Sequence, residues 1–161
     1  AGLADDLRYL DDRIEALDQR IKEIVKQDPT ACRLLELRGV GPLTASALAG
    51  ALGDGRAFTR GRDFAASLGL TPRQNSTGGK DRLLGISKRG DNYLRKLLVH
   101  GARAVLRHAK GRDDGLSQWL NDLSARKHAN VVTVALANKT ARIAWAIVHN
   151  ETSYDAQMAA G

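Results

Sequence analysis

An unbroken heptad repeat at the amino end constrains the fold of this chain more than any other feature. Leucine and isoleucine recur there at alternating steps of four and three residues, with mostly charged and polar residues between them. This spacing places every apolar residue of the repeat on one stripe of an α-helix. The stripe, which we call the heptad seam, consists of Leu3, Leu7, Leu10, Ile14, Leu17, Ile21 and Ile24.

The seam predicts a coiled-coil helix over residues 1–28. The residue before a proline is disfavoured in the helical conformation, so Asp28-Pro29 predicts the end of this helix. About three heptads are the lower limit for a coiled coil. The seam could pair with another chain or fold back on the same domain. We favour pairing and predict a homo-oligomer formed through residues 3–24.

Residues 29–150 show further helical periodicity, which predicts a mostly α-helical domain. Gly111 and the residues after it interrupt the pattern, and Asp91 is placed to cap a helix. Between two of the helices, residues 73–88 predict an irregular segment or a short hairpin. The tail from 151 to 161 is expected to be disordered. The helices are predicted at about 30–37, 42–52, 60–68, 92–109, 116–127 and 129–149.

Residues 30–53 suggest a helix-hairpin-helix unit, a structure that often contacts DNA. Gly39 and Gly41 permit a tight turn, and Pro42 suits the first position of the second helix. Free amides at the start of that helix can bind a phosphate. The alternative is a turn that only packs two core helices together.

The positive charge of the chain is concentrated in one region. The net charge is +7, yet residues 71–112 alone hold eleven Lys/Arg against two acidic residues. Such a patch is typical of nucleic-acid binding. A basic helix lying on a membrane surface is less consistent with the sequence, because the region lacks a bulky aromatic face. No apolar run of membrane-spanning length occurs, and Cys32 is the only cysteine, so we expect a cytoplasmic protein with no membrane partner.

Part of this charge forms a stripe on the helix predicted at 92–109. Lys96, His100, Arg103, Arg107 and Lys110 follow one another at steps of four and three residues, over a length of roughly 21 Å. The stripe could follow a nucleic-acid backbone or could be an ordinary solvated face. The candidate nucleic-acid-binding residues are Gly39, Gly41, Arg73, Lys80, Arg82, Lys88, Arg89, Lys96, Arg103, Arg107 and Lys110.

The segment 70–90, which we call the serine loop, contains a candidate nucleophile. Ser76 and Thr77 precede two glycines inside the basic region. A serine hydroxyl needs a base or a metal ion to become a strong nucleophile, and the only acid in the loop before residue 90 is Asp81. A serine in such a string also commonly serves only as a turn residue. Tyr93, a second conceivable nucleophile, is expected to be a core or boundary residue.

A metal site formed by this chain alone is not expected. The four histidines show no spacing typical of metal ligands, and no cluster of cysteine, histidine and acidic residues joins them.

Three stretches together resemble the carboxy-terminal, serine-bearing domain of DEDD-type insertion-sequence transposases. These enzymes are related to the Piv/MooV site-specific DNA invertases and to bridge-RNA-guided recombinases. The resemblance covers about residues 30–150 and is carried by Leu37-Arg-Gly-Val-Gly-Pro-Leu-Thr-Ala45, by residues 64–90 and by Asn92-Tyr-Leu-Arg-Lys-Leu-Leu-Val-His-Gly-Ala-Arg103.

The resemblance implies a two-part recombinase of a bacterium or archaeon, acting at the nucleoid. A RuvC-like domain would bind Mg²⁺, and the domain in this chain would supply a serine that attacks DNA to give a covalent phosphoserine. The matching residue is Ser76, or Thr77 if the register is offset by one. DNA, and in some members a guide RNA, would be the partners. No RuvC-like half is present in these 161 residues, so the chain is expected to be inactive alone. The alternative is a non-catalytic helical module for nucleic-acid binding and multimerisation.

Overall fold

A computed structural model describes the backbone of residues 2–77 and 80–155, and all of their side chains except those of 75–83. Within these ranges the chain is mostly helical with one small antiparallel sheet, which confirms the predicted fold class. The segment predicted to be irregular or a short hairpin contains a pair of antiparallel strands. The elements are α1 (Leu3–Gln27), α2 (Pro29–Leu34), α3 (Pro42–Leu52), α4 (Gly61–Ser67), β1 (Pro72–Thr77), β2 (Lys80–Ile86), α5 (Asn92–Arg107), α6 (Gly115–Ser124) and α7 (Ala129–His149).

Among the described residues, helix α1 packs against the rest of the chain only near its carboxyl end. Val25 is buried and Ile21 is partly buried against the core, where α1 contacts α2 and α3. The other six seam residues are 52–77% exposed. The seam therefore does not fold back on its own domain along most of its length. Pairing with another chain stays a prediction.

Two aspartates set helix starts. Asp91 caps α5 as predicted, and its carboxylate accepts the Leu94 N–H at 2.9 Å. Asp28 caps the short helix α2. The Asp28 carboxylate accepts the amides of Thr30 and Ala31 at 2.8 and 3.2 Å, so α2 starts one residue earlier than predicted and also ends earlier.

Helix α7 is the centre of the domain and packs against all five helices from α2 to α6. It packs most extensively onto α4 and α5, and Leu136, Ala141 and Ile147 are among its buried apolar residues. By length and composition alone, α7 is apolar enough to cross a membrane. Half of its apolar stretch is buried inside the fold, however, which is typical of a core helix. Val131, at the start of α7, is 53% exposed.

Two glycines permit a close contact between α5 and the turn before α3. A Cβ atom on Gly101 would overlap the carbonyl oxygen of Gly39. Gly39 has a φ of +83°, a conformation that L-residues with side chains seldom adopt. The turn at 37–41 is therefore seated directly on the backbone of α5.

The first residues of the predicted tail are packed on the domain. The Tyr154 N–H donates to the Glu36 carboxylate at 2.8 Å, and the Arg33 guanidinium donates to the Glu151 carbonyl at 3.3 Å. The Tyr154 ring lies against the core, and its burial raises the pKa of the phenol. The packed region therefore extends at least to Tyr154. Residues 156–161 of the predicted tail lie outside the described residues.

Candidate nucleic-acid interface

The serine loop forms an antiparallel hairpin from Pro72 to Ile86. In its register Ser76 pairs with Asp81 and Thr77 pairs with Lys80, and an irregularity lies between Pro72 and Gln74. Ser76 thus lies in the half of β1 away from Pro72, about 16 Å along the strand from Thr71 at a rise of ~3.3 Å per residue. The side chains of Ser76, Thr77, Lys80 and Arg82 lie outside the described ones, so their assigned roles stay predictions.

Hydrogen bonds hold the base of the hairpin on the end of α4. The chain after β2 runs beside residues 67–71. The Ser87 amide donates to the Thr71 carbonyl at 2.8 Å, the Lys88 amide to the Gly69 carbonyl at 3.2 Å, and the Asp91 amide to the Ser67 carbonyl at 3.1 Å. A Cβ atom on Gly69 or Gly90 would overlap backbone atoms of the opposite segment. The glycines thus fix the base of the hairpin relative to α4 and α5.

The predicted basic stripe is a free face of α5 and its carboxyl end. Lys96, His100, Arg103, Arg107 and Lys110 are all exposed. None of the five forms an ion pair with another residue in the part of the chain that the structure describes. Free cations on one face can accept phosphates without first breaking an internal ion pair.

Arg95 on the same helix has a different role. Its guanidinium donates to the Leu68 carbonyl at 2.8 Å and to the Asn92 side chain at 2.9 Å. The side chain is therefore committed to joining α5 to the end of α4. This explains why Arg95 does not belong to the stripe although it lies beside Lys96.

Three further basic residues surround the base of the hairpin. Arg73, Lys88 and Arg89 are exposed, as expected of nucleic-acid contacts. Lys88 has a φ of +56°, which is uncommon for a residue with a side chain. This residue turns the backbone from β2 toward Gly90, so its side chain stands at the junction of the sheet and the helices.

The helix-hairpin-helix segment is anchored to α5 and α6. A Cβ atom on Gly39 would clash with α5, so the absence of a side chain there serves packing, and the assignment of Gly39 as a nucleic-acid contact stays a prediction. Arg38 donates to Asp114 at 2.7 Å and to Ser117 at 3.1 Å, which fastens the turn to α6. Only Gly41, the residue before α3, remains exposed with open space around it.

Two concave surfaces border α7, and the sequence analysis identified neither. A groove of about 850 Å³ between the hairpin and α7 is lined by apolar residues that include Leu84 and Val131, with Arg73 and Lys88 at its side. A cavity of about 650 Å³ lies between α4, α6 and α7. Four cationic side chains line this cavity. Arg60 and Arg62 belong to the cap and first turn of α4, and Lys139 and Arg142 belong to α7.

Tyr93 lies on the first turn of α5 and is 54% exposed, so it is a surface residue and not part of the core. Among the described residues, no three His, Cys, Asp or Glu side chains come together as metal ligands.

Comparison with protein families gives a specific match. The family described as "Transposase IS116/IS110/IS902 family" matches residues 31–116, which is more than half of the chain. The matched region contains the turn before α3, the serine hairpin and the basic stripe on α5.

Individual relatives extend the similarity over nearly the whole chain. A "Probable family 20 transposase" of Pseudomonas aeruginosa is 55% identical over 94% of this chain and 45% of its own length. The transposase for insertion sequence element IS1328 of Yersinia enterocolitica is 49% identical over 91% of this chain and 44% of its own. A pilin gene-inverting protein of Moraxella bovis is 26% identical over 94% of this chain and 48% of its own. The chain thus spans less than half the length of each of these relatives.

Proposed function

Since the chain belongs to the IS116/IS110/IS902 family of transposases, we propose that it is the DNA-binding, serine-bearing portion of a transposase or site-specific recombinase. The observation that carries this proposal is the anchored hairpin. Ser76 lies in the second half of β1, opposite Asp81, while the base of the hairpin is fixed by close glycine contacts and flanked by exposed cations. Its place of action would be the bacterial cytoplasm, at the nucleoid.

In the proposed reaction the Ser76 hydroxyl attacks a DNA phosphorus atom. A bond forms between Oγ and phosphorus, and the bond from phosphorus to one of its two sugar oxygens breaks. The serine proton is transferred to a base, and the departing sugar oxygen gains a proton to become a hydroxyl. One phosphodiester is exchanged for another, so attack by a sugar hydroxyl can later release the serine and rejoin DNA.

The described residues do not contain everything that this step requires. Asp81 is the backbone register partner of Ser76, which makes it the acid that hairpin pairing brings nearest to the nucleophile. We propose that Mg²⁺ is held by a RuvC-like domain outside this chain. When bound, such an ion stabilises the charge that develops on the phosphate.

The basic stripe on α5 is the proposed contact for the DNA backbone. Its cations are exposed and unpaired within the described chain, and each phosphate neutralised by Lys or Arg releases counterions, which favours binding. Arg73, Lys88 and Arg89 would hold the same DNA nearer the hairpin. A guide RNA, if the full protein uses one, would offer the same phosphate chemistry.

We further propose that the exposed heptad seam pairs with a second copy of the chain. Six apolar residues more than half exposed along one face of α1 are costly in water. A recombination reaction that exchanges strands at two sites also calls for more than one active site. Pairing through α1 would hold two serine hairpins in one assembly.

A covalent adduct tests the proposal. In a full-length transposase carrying this chain, Ser76→Ala should abolish the protein–DNA adduct and strand exchange while DNA binding is retained. Thr77→Ala is the matched control and should leave the adduct in place. If Ser76→Ala forms the adduct normally, the chain is instead the non-catalytic binding and multimerisation module. If only Thr77→Ala abolishes it, the nucleophile is Thr77.

A further inference from the structure

The cavity between α4, α6 and α7 is strongly positive. It is lined by four cationic side chains and by both tryptophans of the protein, Trp119 and Trp145, and no carboxylate is among the described residues that line it. None of these residues belongs to the basic stripe on α5 or to the hairpin. The cavity is therefore a second positive surface that still needs a role.

Close packing of α4 on α7 assembles this charge. A Cβ atom on Gly61 would lie 3.0 Å from the Arg142 carbonyl oxygen and 3.2 Å from the Trp145 ring. The lack of a side chain at Gly61 thus allows the start of α4 to lie directly on α7. Arg60 and Arg62 are brought beside Arg142, although about eighty residues separate them in sequence.

The charges of the cavity are only partly neutralised. Arg60 pairs with Asp63 at 3.1 Å, whereas Arg62 and Arg142 are exposed and form no ion pair with a described residue. The Lys139 ammonium lies 4.8 Å from the centre of the Trp119 ring. Burial, and then repulsion by Arg142, lower the pKa of Lys139. An anion in the cavity would relieve this repulsion.

The cavity adjoins the groove between the hairpin and α7. Ala135 and Asn138 of α7 line both of them, and Asn138 donates to the Leu70 carbonyl at 3.2 Å, at the start of the hairpin. Arg73 and Lys88 line the groove on the hairpin side. A chain of phosphates leaving the hairpin can thus follow α7 into the cavity and meet cations along the way.

We propose that the cavity binds the phosphodiester backbone of the polynucleotide strand that flanks the serine hairpin. The inference rests on the proposed function, because it takes the nucleic acid bound at the hairpin as the ligand. The ligand class is a polynucleotide, with phosphate as the recognised group. The groove and cavity along α7 form a second track, separate from the contacts on α5.

Intrinsic fluorescence makes the cavity directly observable, since the only two tryptophans of the chain line it. The protein would be titrated with a short labelled DNA duplex, and with single-stranded DNA and RNA of the same length, while label anisotropy and tryptophan emission are recorded together. We expect emission to change in parallel with anisotropy. The polynucleotide that gives the larger emission change identifies the natural source of the phosphates.

Paired variants separate the two tracks. Arg62→Ala with Arg142→Ala should reduce the slope of log affinity against log salt by roughly two units, and should remove most of the emission change. Lys22→Ala with Lys26→Ala on α1 removes the same charge elsewhere and should alter neither. Arg62→Lys with Arg142→Lys should restore most of the wild-type slope.

The outcomes distinguish this inference from the proposed function. Saturated binding by anisotropy with silent tryptophans would overturn the cavity proposal and leave the stripe and Ser76 intact. A salt slope of the double alanine variant equal to that of the α1 control would also overturn it. Loss of binding in the cavity variant, together with unchanged binding when the α5 stripe is removed, would support the cavity and contradict the assignment of α5.

Discussion

Gly101 sets the distance between α5, which carries the basic stripe, and the turn at 37–41. Because a Cβ atom there would overlap the Gly39 carbonyl, Gly101→Ala should destabilise the protein by about 1–3 kcal/mol in spite of the higher helix propensity of alanine. Gly50 in α3 has open space around its Cβ position, so Gly50→Ala should stabilise by about 0.5–1 kcal/mol. Denaturant unfolding measures both. Equal stabilisation by the two alanines would contradict the close contact.

Asp114 links the turn at 37–41 to α6, and its contribution to the stability of the fold should depend on pH. Hydrogen bonds from the Ser117 backbone and hydroxyl, and then the charges of Arg38 and Arg112, hold the pKa of Asp114 below its ordinary value of 3.8. A carboxyl group whose pKa is lower in the folded state makes its full contribution to folding stability at pH values above its pKa in the unfolded state. That stabilisation is lost as the pH falls through the folded pKa.

Asp114→Asn should therefore melt at a lower temperature than the wild type at neutral pH, and the difference should close below about pH 4. Thermal melts of the two proteins from neutral to strongly acidic pH provide the measurement. A difference that is the same at every pH would mean that the charge of Asp114 contributes nothing to folding.

The basic stripe of α5 gives a prediction about salt. Replacing Lys96, Arg103 and Arg107 by alanine should weaken DNA binding and flatten its salt dependence by nearly one unit of slope for each lost phosphate contact. Arg20, Lys22 and Lys26 on α1 form the matched control, because their replacement removes the same charge from another helix. Binding of a labelled duplex at several salt concentrations decides the matter. Equal slopes for the two triple variants would make the stripe an ordinary solvated face.

The heptad seam of α1 gives a prediction about assembly. Leu10→Lys with Leu17→Lys puts two charges into the proposed helix–helix contact and should lower the mass measured by light scattering. Asp12→Lys with Gln19→Lys adds lysine on the opposite face of the same helix and should leave the mass unchanged. If the seam variant keeps the wild-type mass, α1 does not pair through these residues.

Helices could be predicted from this sequence because their signals are local. The seam, Pro29, Asp91 and the break after Gly111 each act within a few residues, so the elements were found with shifted ends. Which residues of α7 are buried is harder to predict. The spacing of Val131 is that of a core residue, yet Val131 is exposed and borders an open groove. Periodicity gives the face of a helix without saying what covers each end of it.

In the molecule as a whole, the arrangement of helices creates features that no local pattern contains. The cationic cavity joins Arg60 and Arg62 to Lys139 and Arg142, which are far apart in sequence. Gly39 illustrates the same limit, because its close packing on the backbone of α5 cannot be read from the turn sequence around it. The sequence could indicate basic residues and a candidate serine, but their spatial relation depends on how α4, α5 and α7 pack.

The identity of the covalently modified residue decides the proposed chemistry of the chain. A full-length transposase carrying this sequence would be trapped on DNA, digested with nuclease and trypsin, and analysed by fragmentation mass spectrometry. Cleavage after Arg73 and Lys80 releases residues 74–80, which contain both Ser76 and Thr77. We predict a phosphate-linked nucleotide remnant on Ser76. A remnant on Thr77 or Tyr93, or an active enzyme whose residues 74–80 are never modified, would contradict the assignment of Ser76 as the nucleophile.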